Sequence, residues 1–132
     1  MEIKGDKMKL TNLEILNIFD KINESFKDNN EYIPIKIGFA IQKNISTLYF
    51  LVREIENAKV KIAEQYGQLE NEKTGEYKIS EDKIEDAQKE FNDLLNFEQE
   101  IDIRTIKLSD IENLSFTLQQ INSLLFMIKD NE

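Results

Sequence analysis

The residues with chemical potential in this chain are carboxylates, and they cluster. Nine acids, Glu81, Asp82, Glu85, Asp86, Glu90, Asp93, Glu98, Glu100 and Asp102, stand between residues 80 and 102 against Lys83 and Lys89, a local net charge of −7. Paired carboxylates can hydrolyse glycosidic bonds, but that chemistry needs a sugar-binding cleft, and the aromatics that would line it are not easily spared here. A calcium loop is also a poor fit. Asp28-Asn29-Asn30-Glu31 is rich in oxygen but lacks the spaced ligands, central glycine and distant glutamate, so it is read as a turn and no metal is assigned. The remaining reading is a contact surface. Glu81, Asp82, Glu85, Asp86, Glu90 and Asp93 form a candidate acidic face that docks on a basic protein or mimics nucleic-acid phosphate. The plain alternative is a solvated helix face whose first acids suit the positive end of the helix dipole.

What is missing narrows the chemistry further. The 132 residues include no histidine and no cysteine. The commonest proton-transfer group near neutral pH and the commonest metal ligand are therefore lacking, as are a thiolate nucleophile and a disulfide framework. The four glycines are widely spaced, with no phosphate-cradling loop and no Gly-x-Ser-x-Gly elbow. A serine or threonine nucleophile would need a lysine or carboxylate base, and nothing positions one. The expectation is a binding protein without a cofactor, not an enzyme. A net charge of −9 repels phosphate, which argues against direct binding of nucleic acid or an anionic membrane and favours a partner with a basic surface. Weaker contact candidates are Lys36, Lys43, Asn44, Arg53 and Lys59, with ordinary surface as the alternative for Asn44 and Arg53.

These residues need a scaffold. Forty per cent of residues are hydrophobic, eight of them Phe, enough for one folded domain. The expected class is mainly α with minor β: a helical bundle on one long central helix, about 35–66, and a two-stranded antiparallel element pairing about 76–79 with 101–107. Residues 1–7 are read as a flexible extension ahead of a single helical domain, 8–132. They do not resemble a signal peptide, and no apolar run approaches the roughly 20 residues of a membrane span.

A first helix is expected over 11–27, with Thr11 and Glu14 as a capping box and Ile15, Phe19, Ile22 and Phe26 on one face. Pro34 fits the first turn of the long helix. Ile41, Ile45, Leu48, Val52, Ile55, Lys59, Ile62 and Tyr66 make a heptad seam, in which Lys59 either sets register or snorkels. Phe39, Tyr49, Phe50, Leu51 and Val60 lie off that seam, which predicts a spine covered by several neighbours. Tyr32, Tyr49, Tyr66 and Tyr77 are expected at core edges, with interface anchoring as the alternative. Gly67 is read as a C-cap, 68–75 as a loop, and Ser80 as the cap of a helix ending near Phe97 with Ile84, Ala87, Phe91, Leu94 and Leu95 inward. Residues 100–107 alternate as a strand. Ser109 and Thr117 are read as caps of a short turn and of a last helix carrying Leu118, Ile121, Leu124, Leu125 and Ile128.

Three stretches also carry a resemblance. Met8-Lys9-Leu10-Thr11-Asn12, the Ile33–Asn44 segment with its Pro-x-Lys-x-x-Phe-x-Ile-x-Lys-Asn pattern, and the Phe91–Ile103 segment resemble a family of small phage and prophage proteins of Gram-positive bacteria, catalogued as a domain of unknown function. The ending, Leu124 to Ile128, is similar too. The likeness covers nearly the whole chain except residues 1–7. It implies a phage origin and a host-cell cytoplasm, and brings no activity or catalytic residue. The resulting expectation is protein–protein binding. Its most specific form is an inhibitor of a bacterial defence system, anti-CRISPR-like, that blocks a basic surface stoichiometrically. The alternatives are a virion or tail-assembly protein, where the seam could support a homo-oligomer, and a regulatory adaptor.

Overall fold

The computed structural model describes residues 5–28 and 32–130. In chain order the elements are strand β1 (Gly5–Thr11), helices α1 (Asn12–Phe26) and α2 (Ile35–Tyr66), strands β2 (Gly67–Asn71) and β3 (Glu76–Ile79), helix α3 (Ile84–Asn96), strands β4 (Glu98–Arg104) and β5 (Ile106–Lys107), helices α4 (Leu108–Ile111) and α5 (Leu118–Leu124), and strand β6 (Ile128–Lys129). The fold is mainly α with small two-stranded sheets, as the sequence predicts. At about 1.5 Å per residue, the 32 residues of α2 span roughly 48 Å. They pack against α1, α3, β4 and the β2–β3 hairpin.

Helix boundaries follow local chemistry. Thr11 and Glu14 form the expected capping box, with Thr11 Oγ1 accepting from the Glu14 N–H at 3.1 Å and Glu14 Oε1 from the Thr11 N–H at 3.0 Å. Thr117 and Gln120 cap α5 in the same way. Pro34 sits one position before α2, where its carbonyl accepts from the N–H groups of Ile37 and Gly38. Two expected caps are corrected. Ser80 offers no side-chain bond; its carbonyl opens a 3₁₀ turn over Glu81–Lys83 ahead of α3. The short helix near Ser109 begins at Leu108, because Asp110 Oδ2 already accepts from the Lys107 N–H at 3.1 Å.

The strand pairing differs from expectation, and the correction has a clear cause. β3 pairs with β2, and β4 pairs antiparallel with β1, Gly5 opposite Arg104 through Thr11 opposite Glu98. Residues 5–7 are therefore paired strand rather than free extension, while 1–4 lie outside the described residues. Alternation explains the pairing. Leu10, Ile101 and Ile103 point into the core. Lys7 and Lys9 point out, directly opposite Asp102 and Glu100, and Lys7 Nζ reaches Glu100 Oε1 at 3.6 Å. The region read as a loop at 68–75 begins as β2. Gly67 is extended, not a left-handed cap, and a Cβ there would run into the Lys78 carbonyl oxygen, so close strand approach requires glycine. The hairpin turns at Gly75, whose φ of 72° suits glycine.

One core joins these elements: Leu10, Ile15, Ile22, Ile37, Ala40, Ile41, Leu48, Ile55, Ile101, Ile103, Ile106, Ile111, Leu124 and Met127. The α1 face and the α2 seam from Ile41 to Ile55 lie in or against it as expected. The last helix is shorter than its periodicity predicts. Leu118 and Leu125 are exposed, while Gln120 and Ser123 turn inward with Leu124, because Gln120 is the reciprocal partner in the cap.

Candidate functional site

The candidate site lies on the first half of α2. Its inner side is fixed by Asn44, which is 1% exposed. Asn44 Nδ2 donates to the Arg104 carbonyl at 2.9 Å, and Asn44 Oδ1 accepts from the Arg104 N–H at 2.8 Å. The amide thus serves as a strand partner for β4 where that strand ends, and it also reaches Met127 Sδ at 3.2 Å. Asn44 is therefore a structural clamp and not a surface contact residue. At the other end of α1, buried Asn12 does similar work. Its Nδ2 donates to the Leu94 carbonyl and its Oδ1 accepts from Gln99, both at 2.7 Å. Together the two amides anchor α1 and α2 to β4 and to the end of α3.

α2 is covered by several neighbours as expected, but among the described residues the outer side of this half-helix stays largely exposed. Ile35 is 87% exposed and Phe50 70%, with Phe39 and Tyr49 each about half exposed. Among the described residues, Phe19 of α1 reaches Tyr49 on this side, while Ile35 and Phe50 stay largely in solvent. Tyr32, at the entry to α2, is exposed as well, so the expectation that all four tyrosines mark core edges holds only for Tyr66 and Tyr77, which are half-buried. Beside the stripe runs an open groove of about 750 Å³, lined by Phe26, Tyr32, Ile33, Ile35, Gly38, Phe39, Ile41, Gln42 and Ile45. None of these residues is charged.

Cations edge the stripe. Lys43 Nζ stands 5.7 Å from the Phe39 ring centroid, and the Arg53 guanidinium 5.9 Å from that of Tyr49, distances at which a cation is attracted to the ring face. Tyr49 in turn contacts Phe19 and Phe50, at 6.2 and 6.4 Å between centroids. Lys36 is engaged, 3.7 Å from Asp110 Oδ2. Lys59, further along, is half-buried and lies 3.5 Å from Glu56, so its stem snorkels along the seam. A sequence signal for this site existed. From Ile33 to Arg53 there is no acid at all, and three cations, in a chain with 26 acids.

The acidic face is arranged differently. Glu81 and Asp82 lie on the 3₁₀ turn, and Glu85, Asp86 and Asp93 on α3; all five are exposed. None of them is in an ion pair within 4.0 Å among the described residues. Glu90 is half-buried. A hydrogen bond to Glu90, then burial, raises the Tyr66 phenol above its ordinary pKa, which links this carboxylate of α3 to the end of α2. Tyr77 is likewise raised, by burial and by its 3.1 Å bond to Glu64. Asp6 is lowered by its bonds to Lys129 and Thr105, which tie β1 to the C-terminal strand. Asn29, Asn30 and Glu31 of the oxygen-rich turn lie outside the described residues.

Among the described residues, no group of three or more acids is placed to hold a metal ion, and no helix is long and apolar enough to cross a membrane. Comparisons of the chain with protein-family models, with curated proteins and with solved structures return no match.

Proposed function

We propose that the protein acts by binding another protein and catalyses no reaction. One observation carries this: four large apolar side chains, Ile35, Phe39, Tyr49 and Phe50, stand about half or more in solvent on one side of a helix whose other side is clamped to β4. Clustered exposed aromatics beside an apolar groove mark interaction sites far more often than isolated exposed residues do.

The acidic face favours one specific role. Five exposed, unpaired carboxylates on one short stretch would steer the protein toward a basic surface. This supports a stoichiometric inhibitor of a bacterial defence effector, in a host cytoplasm if the phage likeness holds. The aromatic stripe supports an assembly component or chaperone for phage structural proteins equally well.

The test is affinity purification from the host with three baits: wild type, Phe39→Ser/Phe50→Ser, and Glu85→Lys/Asp86→Lys/Asp93→Lys. A partner lost with the first variant supports the stripe as the contact. A basic effector lost with the second, and lost from wild type as salt rises, supports the inhibitor role. Retention of every partner by both variants refutes binding through either face.

A further inference from the structure

The stripe also says what kind of segment would cover it. We propose that the first half of α2 docks a negatively charged amphipathic helix of a partner protein, which seats its apolar side chains on Ile35, Phe39 and Phe50 and its carboxylates on Lys43 and Arg53. This rests on the protein-binding reading above.

Three features select this occupant. The first is shape. The exposed apolar residues fall in two pairs on one side of the helix, Ile35 with Phe39 and Tyr49 with Phe50, with exposed Gln42, Lys43 and Ser46 between them. At about 1.5 Å per residue they span roughly 22 Å, which a partner helix of about four turns would match with apolar anchors at its two ends and polar groups between them. The second is charge. The segment Ile33–Arg53 carries Lys36, Lys43 and Arg53 and no acid, although the chain as a whole is at −9. Lys43 and Arg53 stand about 15 Å apart along the helix, so two carboxylates ten or eleven residues apart on one edge of the partner would meet both. The third is the case against a second copy. Two α2 stripes packed face to face would bring the same cations together on both sides, and like charges across an interface are penalised. A basic helix meets the same objection.

The probes are two labelled 16-residue helical peptides with the same Leu and Phe seam, one bearing Glu and the other Lys at the flanking positions. Binding to the full chain is read by fluorescence anisotropy, and its location by amide chemical shifts. The acidic peptide should bind at least tenfold tighter than the basic one and shift α2 residues between Ile35 and Arg53. Phe39→Ser/Phe50→Ser should cost tenfold or more with the helical circular dichroism spectrum retained, since both side chains are at least half exposed. Lys43→Glu/Arg53→Glu should reverse the peptide preference. Equal binding of both peptides, no binding of either, or shifts confined to other elements would overturn the proposal. So would a dimer in sedimentation that Phe39→Ser/Phe50→Ser dissolves, or tighter binding of a twelve-nucleotide single-stranded DNA than of the acidic peptide. If neither peptide binds but a native partner is still lost with Phe39→Ser/Phe50→Ser, the occupant is wrong and the protein-binding reading stands.

Discussion

The first half of α2 and the exposed side of α3 are both surfaces without a partner inside the fold, but they are built on opposite terms. On α3 the exposed groups are carboxylates in water, where each is already well solvated. On α2 they are Ile35, Phe39, Tyr49 and Phe50, whose exposure has a standing cost. Burying a large apolar side chain contributes about 1.5–3 kcal/mol, whereas an exposed ion pair contributes about 0–1 kcal/mol and is screened by salt. Charge on α3 can guide an encounter; the stripe on α2 can hold it. The two faces therefore affect different quantities, one the association rate and its salt dependence, the other the lifetime of the complex.

Several substitutions break or sharpen this contrast. The largest effect is expected at Asn44→Leu, which removes the buried amide that bonds the Arg104 N–H and carbonyl. Thermal or urea unfolding should show a loss of about 2–3 kcal/mol. A neutral result would mean that α2 is not held by this clamp and that the stripe is not rigidly presented. Next is Phe39→Ser/Phe50→Ser, which should weaken a captured partner at least tenfold, about 1.4 kcal/mol, with the fold retained. Smaller again is Glu85→Lys/Asp86→Lys/Asp93→Lys. Surface plasmon resonance should show a changed association rate and a flatter salt dependence, with the dissociation rate little altered.

The smallest effect separates Glu90 from the rest of its face. Tyr66 has a folded pKa raised above its unfolded value of about 10. A group raised in this way contributes stability that is fully present below its unfolded pKa and lost as pH rises through the folded one. Tyr66→Phe should therefore reduce the alkaline sensitivity of stability above about pH 10. Absorbance titration at the phenolate band should lose a late-ionising tyrosine, and Glu90→Gln should move that titration to lower pH. If Glu90→Gln leaves the phenolate curve unchanged, Glu90 belongs with the exposed acids after all.

How much of this was legible in the sequence depended on range. Helices with local signals were readable: Thr11 with Glu14, Thr117 with Gln120, and the α2 seam from Ile41 to Tyr66. Strand pairing was not, because β4 announces its alternation but not its partner. Met8 and Leu10 alternate inward on β1, but two positions are too few to mark a strand, and residues 1–7 read as an extension. Gly67 signalled a helix end, and only the approach of Lys78 shows why it must be glycine. The acidic face was visible because charge is a property of composition. The stripe was half visible. Phe39, Tyr49 and Phe50 stood off the seam in the sequence, but whether a neighbour covers them depends on how many elements reach that side of α2. Asn44 was misread for the same reason, since an asparagine in a polar-looking turn of helix gives no sign of a strand end 60 residues away.

The most direct test compares the two faces against one captured partner, by calorimetric titration with wild type, Phe39→Ser/Phe50→Ser and Glu85→Lys/Asp86→Lys/Asp93→Lys at physiological salt. The stripe as the holding surface predicts at least a tenfold loss of affinity for the first variant and less than threefold for the second. A first variant that binds like wild type while the second loses tenfold would contradict it and place the contact on α3.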